Sequence, residues 1–308
     1  MVRQSSLVTP YGRADLAGWW WLVRKLPADG RQRRTRAGFR VHTHVEEMTE
    51  MRIPGAVTDL STVTESTVTV TAEDGHSLPL HVARPARPTG QLPGLVVIHE
   101  AYGVNDHIRD VTRRFAAQGF LAAAPDLFQR VGGAPEPGGE IAAVMAKIGA
   151  MSDVDAIADL RATVDWLRAQ PDSNGRVGCI GFCMGGRLSL LLATHEGVLD
   201  RAIDCWGGRI TRRTAPPDER RPEVVVERVD RLTCPLLGVF GADDQNPNAE
   251  DIAELRAALE ATGMEHRILV YEGAGHAFFA DYRPTWREEP AHAAWAEFLR
   301  FLEPLTTS

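Results

Sequence analysis

The residue in this chain best placed to do chemistry is Cys183. It sits in Gly181-Phe182-Cys183-Met184-Gly185-Gly186, between an apolar run at 177–180 and a helix-like stretch at 187–194. A Gly-x-Cys-x-Gly turn from strand to helix lifts its middle side chain clear of the sheet. The flanking glycines are required because a side chain two residues before or after would strike the strand or helix crossing there. A thiol exposed in this way needs a base to take its proton and a carboxylate to orient that base. Both follow in the chain. Gly241-Ala242-Asp243-Asp244 comes after the apolar run 236–240, and Gly273-Ala274-Gly275-His276 comes after a run ending at Tyr271. His276 in its glycine-rich loop is the candidate base. Asp244 is the preferred carboxylate, with Asp243 in the same turn as the alternative, since either can cap the helix that follows. Nucleophile, acid and histidine in this order describe nucleophilic acyl transfer.

The elements that must carry these residues alternate. Segments 67–72 and 78–83 flank Asp74-Gly75 and predict a β-hairpin. Buried-strand runs follow at 95–99, 120–124, 177–180, 202–206, 236–240 and 267–271. Helical patterns separate or follow them at 108–118, 154–169, 187–194, 249–261 and 291–301. Strand and helix in alternation predict a mostly parallel central sheet with helices on its faces, preceded by the hairpin. The candidate nucleophile, acid and base all fall at C-terminal strand ends, where open α/β sheets place their ligands.

Composition narrows the classes of function. A net charge of -7 and a pI near 5.8 exclude a broad basic surface for nucleic acid or anionic membrane and point to a small-molecule substrate. Four cysteines, three of them in apolar strand-like runs, read as reduced thiols of a cytoplasmic protein rather than a disulfide framework. Residues 1–63 read as an N-terminal extension, and 64–308 as one catalytic domain. Within 1–40, nine Lys/Arg stand against Asp15 and Asp29 alone, and the apolar stretch around Trp19-Trp20-Trp21 is too short for stable membrane insertion. His42 and His44 lack companions at metal-ligand spacing, so no metal and no cofactor are expected.

From about residue 64 to 304 the chain resembles the dienelactone hydrolase family, the carboxymethylenebutenolidases of the α/β-hydrolase fold. The motifs that carry the likeness occur in family order: His99-Glu100-Ala101-Tyr102-Gly103-Val104-Asn105, then His107-Ile108-Arg109-Asp110, Pro125-Asp126-Leu127-Phe128, the cysteine turn, and Gly275-His276-Ala277-Phe278. The resemblance implies a triad of Cys183, His276 and Asp244, with the backbone N–H groups of Ala101 and Met184 as oxyanion hole. It implies that Glu100 contacts the resting thiol and yields when substrate arrives. It also implies that Arg130 grips a substrate carboxylate and that Tyr102 and Trp206 line the pocket. Two departures bear on the substrate. Ala280 stands where dienelactone-specific members carry a second arginine, four residues after the histidine, and the Arg- and Pro-rich segment 209–221 reads as either a flap or a surface loop.

These features together predict a hydrolase that opens a lactone or cleaves an activated carboxylic ester, carboxylate-bearing or not, through a thioester on Cys183. The alternatives are a broad carboxylesterase using the same residues and a non-catalytic ligand-binding protein on the same scaffold. A thiol-redox protein fits poorly, because Cys179 and Cys183 do not form a Cys-x-x-Cys motif.

Overall fold

Asp74 and Gly75 turn the chain tightly enough for the first two strands to pair. Gly75 takes φ +85°, open to glycine without steric cost, and the Asp74 carboxylate accepts the His76 N–H at 3.0 Å. The resulting hairpin joins β1 (Val63–Thr71) to β2 (Ser77–Pro85). The computed structural model describes residues 53–136 and 139–307. Trp19 to Trp21, His42 and His44 lie outside the described residues.

Six further strands complete one sheet: β3 (Leu92–Ile98), β4 (Leu121–Pro125), β5 (Ser173–Phe182), β6 (Arg201–Cys205), β7 (Leu236–Gly241) and β8 (His266–Tyr271). The spatial order is β1-β2-β4-β3-β5-β6-β7-β8, antiparallel through the hairpin and its junction with β4, and parallel from β4 onward. Every residue of β3, β4 and β7 is buried. That is why they read as continuous apolar runs rather than alternating ones: helices cover both faces of a parallel sheet.

The helices are α1 (Asp106–Ala117), α2 (Ile141–Ala150), α3 (Asp153–Arg168), α4 (Met184–Leu192), α5 (Ala249–Glu260) and α6 (Glu288–Thr306). Their starts are set by side-chain caps. The Asn105 carbonyl accepts the Ile108 N–H at 3.0 Å to begin α1, and Asn248 with Asp251 forms a reciprocal capping box at α5. This is the α/β-hydrolase architecture. After β3 the chain passes to β4 on one side, and β5 lies on the other. The crevice at the carboxyl ends of β3 and β5 is therefore a topological switch point, the place where such sheets bind ligands. Among the described residues no helix is long and apolar enough to cross a membrane.

Candidate active site

Cys183 is the hinge between β5 and α4, with φ 57° and ψ −116°, a left-handed conformation that a non-glycine residue holds only when its surroundings enforce it. The enforcement is visible on both sides. A Cβ on Gly181 would overlap the Gly185 carbonyl, and one on Gly185 would overlap the carbonyls of Ile98 and His99 at the end of β3. The Cys183 N–H donates to the Cys205 carbonyl at 3.0 Å, which pins the turn to β6. The thiol thus stands at the N-terminus of α4, where unpaired amides favour negative charge.

His276 reaches this point from the loop after β8, and Asp244 from the loop after β7. The two loops are locked together. The Ala242 N–H donates to the Tyr271 carbonyl and the Asp243 N–H to the Ala274 carbonyl, both at 2.9 Å, and Gly241 leaves no room for a side chain against Ala274. Asp244, only 4 % exposed, accepts from His276 Nδ1 at 2.8 Å through Oδ2, while its Oδ1 accepts the Asn246 N–H at 2.8 Å. Asp243 is exposed one residue earlier. Because the carboxylate can only accept, Nδ1 carries the proton, and Nε2 is left for the Cys183 thiol, with which His276 also hydrogen-bonds. Burial pushes the imidazole pKa down, but the bonds to Asp244 and Cys183 outweigh it and raise the value to about 10.

Ala101 and Met184 line the same pocket, of about 250 Å³, beside Cys183 and His276. Among the described residues neither backbone N–H donates to a protein acceptor, which leaves two amides for a developing oxyanion. Tyr102 also lines it, and the Arg283 guanidinium lies 5.4 Å from its ring centroid.

Three residues expected at the site have other surroundings or partners in the structure. Arg130 is not among the residues lining the pocket. Its guanidinium is taken up by Asp159, at 2.8 and 2.7 Å, and by Asp74, at 2.6 and 3.1 Å. Asp159 is fully buried, and desolvation pushes its carboxyl pKa up even beside the arginine; the pair ties α3 to the hairpin turn. Trp206 is also outside the lining. It is 1 % exposed, with its ring against Phe278 and Phe182 at centroid distances of 5.0 and 5.6 Å, and it closes the core beneath the site.

Glu100 lines the pocket, but its hydrogen bonds come from elsewhere than the thiol. Tyr282 Oη donates to Oε1 at 2.5 Å, and Arg283 Nη1 lies 3.4 Å from Oε2. A carboxylate 2 % exposed requires such compensation. The residue beside them, Asp281, explains how they are placed. Burial opposes its charge, yet His107 and the buried Arg114 hold its carboxyl below the usual range, and that anchor fixes the turn presenting Tyr282 and Arg283. The alanine at 280 is itself buried, 2 % exposed, and Arg283 lines the pocket three residues later.

Sequence reasoning missed α2, which forms an apolar wall of the pocket through Ile141, Val144, Met145 and Ile148. Their i, i+3, i+4, i+7 spacing was the available signal. It missed Arg187 as well. Its guanidinium, the first helical charge after the cysteine turn, makes a buried bidentate pair with Asp153 at 2.6 and 2.7 Å and so joins α4 to α3 behind the thiol.

Fold and pocket define an α/β-hydrolase. Residues 79–306 match the model of the dienelactone hydrolase family, and the chain belongs to that family. It is 34% identical over 231 residues to a Yersinia pestis protein provisionally named a carboxymethylenebutenolidase, covering 75% of this chain and 85% of that protein. It is 29% identical over 242 residues to a carboxymethylenebutenolidase of Pseudomonas putida, covering 77% and 96%. A crystal structure from Klebsiella pneumoniae, provisionally described as a dienelactone hydrolase, superposes with TM-score 0.73 at 31% identity, covering 78% of this chain and 98% of that one. The protein is accordingly a hydrolase of the dienelactone hydrolase family.

Proposed function

We propose that the chain opens lactones or cleaves activated carboxylic esters through a Cys183–His276–Asp244 triad. The observation that carries this reading is the relay at the cysteine turn: a carboxylate 2.8 Å from Nδ1 of an imidazole whose other side bonds the thiol. With the shared proton held on His276, as its raised pKa favours, the sulfur attacks the substrate carbonyl carbon. The Ala101 and Met184 amides hold the oxyanion, and the C–O bond breaks as His276 returns the proton to the leaving oxygen. This leaves a thioester on Cys183. In a lactone the leaving oxygen stays attached and the ring opens.

Acylation also resets the base. The thioester sulfur carries no charge, so one support of the raised His276 pKa vanishes and the imidazole becomes free to deprotonate water. That water cleaves the thioester, releasing the acid and restoring the thiol. Glu100, occupied by Tyr282 and Arg283, is assigned no proton in this scheme.

The apolar wall of α2 and the thiol nucleophile favour substrates with a good leaving group, such as enol lactones and aryl esters. The test compares kcat/KM for dienelactone, an aryl ester and a saturated lactone of similar size. Enol lactone and aryl ester are expected to exceed the saturated lactone by at least ~100-fold, since a poor leaving group keeps the tetrahedral adduct from collapsing forward. An aryl ester far ahead of dienelactone would define a broad carboxylesterase instead. No turnover of any of the three would return the chain to a ligand-binding role.

A further inference from the structure

Arginines crowd the end of the pocket formed by the segment after β6, and their partners differ. Arg187 is neutralised by Asp153. Arg221, its side chain 11 % exposed, donates to the Ile148 carbonyl at 2.7 Å and has its nearest carboxylate, Asp218, at 3.9 Å. Arg209 has less: its Nε is buried with no hydrogen-bond partner, and among the described residues no carboxylate is within salt-bridge distance of its guanidinium. The contrast lies within one segment, where Arg212 pairs with Glu227 at 2.7 Å and Arg213 with Asp251 at 2.9 Å.

The backbone around Arg209 is nonetheless fixed. It takes φ 57°, its N–H donates to Asn246 Oδ1 at 3.2 Å, and its carbonyl accepts from Arg187 Nε at 3.2 Å. A non-glycine residue held in that region beside a pocket is strain of the kind functional sites retain. The far side is tied down too, as the Arg220 carbonyl accepts the Asp153 N–H at 2.8 Å. The segment is therefore a built wall of the pocket. A buried donor without an acceptor is costly, and a ligand anion would satisfy it.

We infer that Arg209 and Arg221 form the anion subsite of this enzyme, so that its substrate is an ester or lactone whose apolar body lies along α2 and whose far end carries a carboxylate. The inference rests on the proposed acylation of Cys183, which lines the same pocket as both arginines. Burial first, and then the charges of Arg209 and Arg187, push the Arg221 pKa down and outweigh the opposing charges of Asp153 and Asp218. Two guanidiniums suit a carboxylate through paired charge-assisted hydrogen bonds. Arg130, the arginine that the resemblance singled out, spends four of its five N–H groups on Asp159 and Asp74 and does not line this pocket.

Two measurements test this. In the first, the mono-p-nitrophenyl ester of adipate is compared with its neutral methyl diester counterpart on wild-type, Arg209→Gln, Arg221→Gln and Arg130→Gln enzymes. The ratio of kcat/KM, anionic over neutral, should fall at least ~10-fold in the first two variants through KM, and should stay at the wild-type value in Arg130→Gln. In the second, calorimetric titration with dicarboxylates from succinate to suberate should show binding to wild type, weakened at least ~10-fold by Arg209→Gln. Binding should be retained in Cys183→Ala. Failure of all ester turnover with dicarboxylate binding intact would count against the nucleophile and not the subsite. Equal losses on both esters, or no dicarboxylate binding to wild type, would overturn the subsite.

Discussion

Replacing Cys183 with alanine is expected to lower kcat/KM on an activated ester by ~10³-fold or more, equivalent to about 4 kcal/mol of transition-state stabilisation. The amides of Ala101 and Met184, proposed to hold the oxyanion, and the pocket walls survive the change, so a residual rate above that in water should persist. The fold should persist as well. Position 183 takes φ 57° with either residue, both carry a Cβ, and the bond that pins the turn comes from the backbone N–H. Circular dichroism and thermal melting close to wild type, together with the lost rate, would separate chemistry from folding. Wild-type turnover in the alanine variant would remove the thiol from the reaction.

Asp244→Asn should be nearly as damaging, with a loss of ~10³-fold, while Asp243→Asn should stay within ~2-fold. The asparagine can keep its acceptor on the Asn246 N–H, but it no longer presents a charge to His276 Nδ1. Burial lowers the imidazole pKa, and the bonds with Asp244 and Cys183 raise it to about 10. A raised pKa means that the protonated form persists to high pH and is lost as pH rises through that value. Without the carboxylate that loss should occur at least ~1 pH unit lower, because burial then acts with less opposition. Titration of the His276 ring protons by NMR reads this directly. A larger kinetic loss in Asp243→Asn would reassign the acid.

Most of the scaffold was legible because parallel strands buried on both faces leave unbroken apolar runs. β3, β4 and β7 are such runs, and the structure extends or shifts them by only a few residues. The cysteine turn was legible because Gly181 and Gly185 answer a local steric demand. Charge partnerships were not. Arg130 follows a family motif, yet whether its guanidinium is free depends on Asp159, 29 residues away on α3, and on Asp74 in the hairpin. Glu100 depends in the same way on Tyr282 and Arg283, which reach it from the far end of the chain. Trp206 follows a strand end, and no local pattern says whether an aromatic ring there faces the pocket or the core. α2 escaped notice because its apolar face was short and followed a Pro- and Gly-rich stretch that reads as loop.

The covalent intermediate is the most direct test of the chemistry. Enzyme mixed with p-nitrophenyl acetate and quenched in acid during the pre-steady-state burst should gain the mass of one acetyl group, mapped by peptide sequencing to Cys183 and released by hydroxylamine as a thioester. A burst that leaves Cys183 unmodified, or an acetyl group mapped to another residue, would contradict nucleophilic catalysis by this thiol.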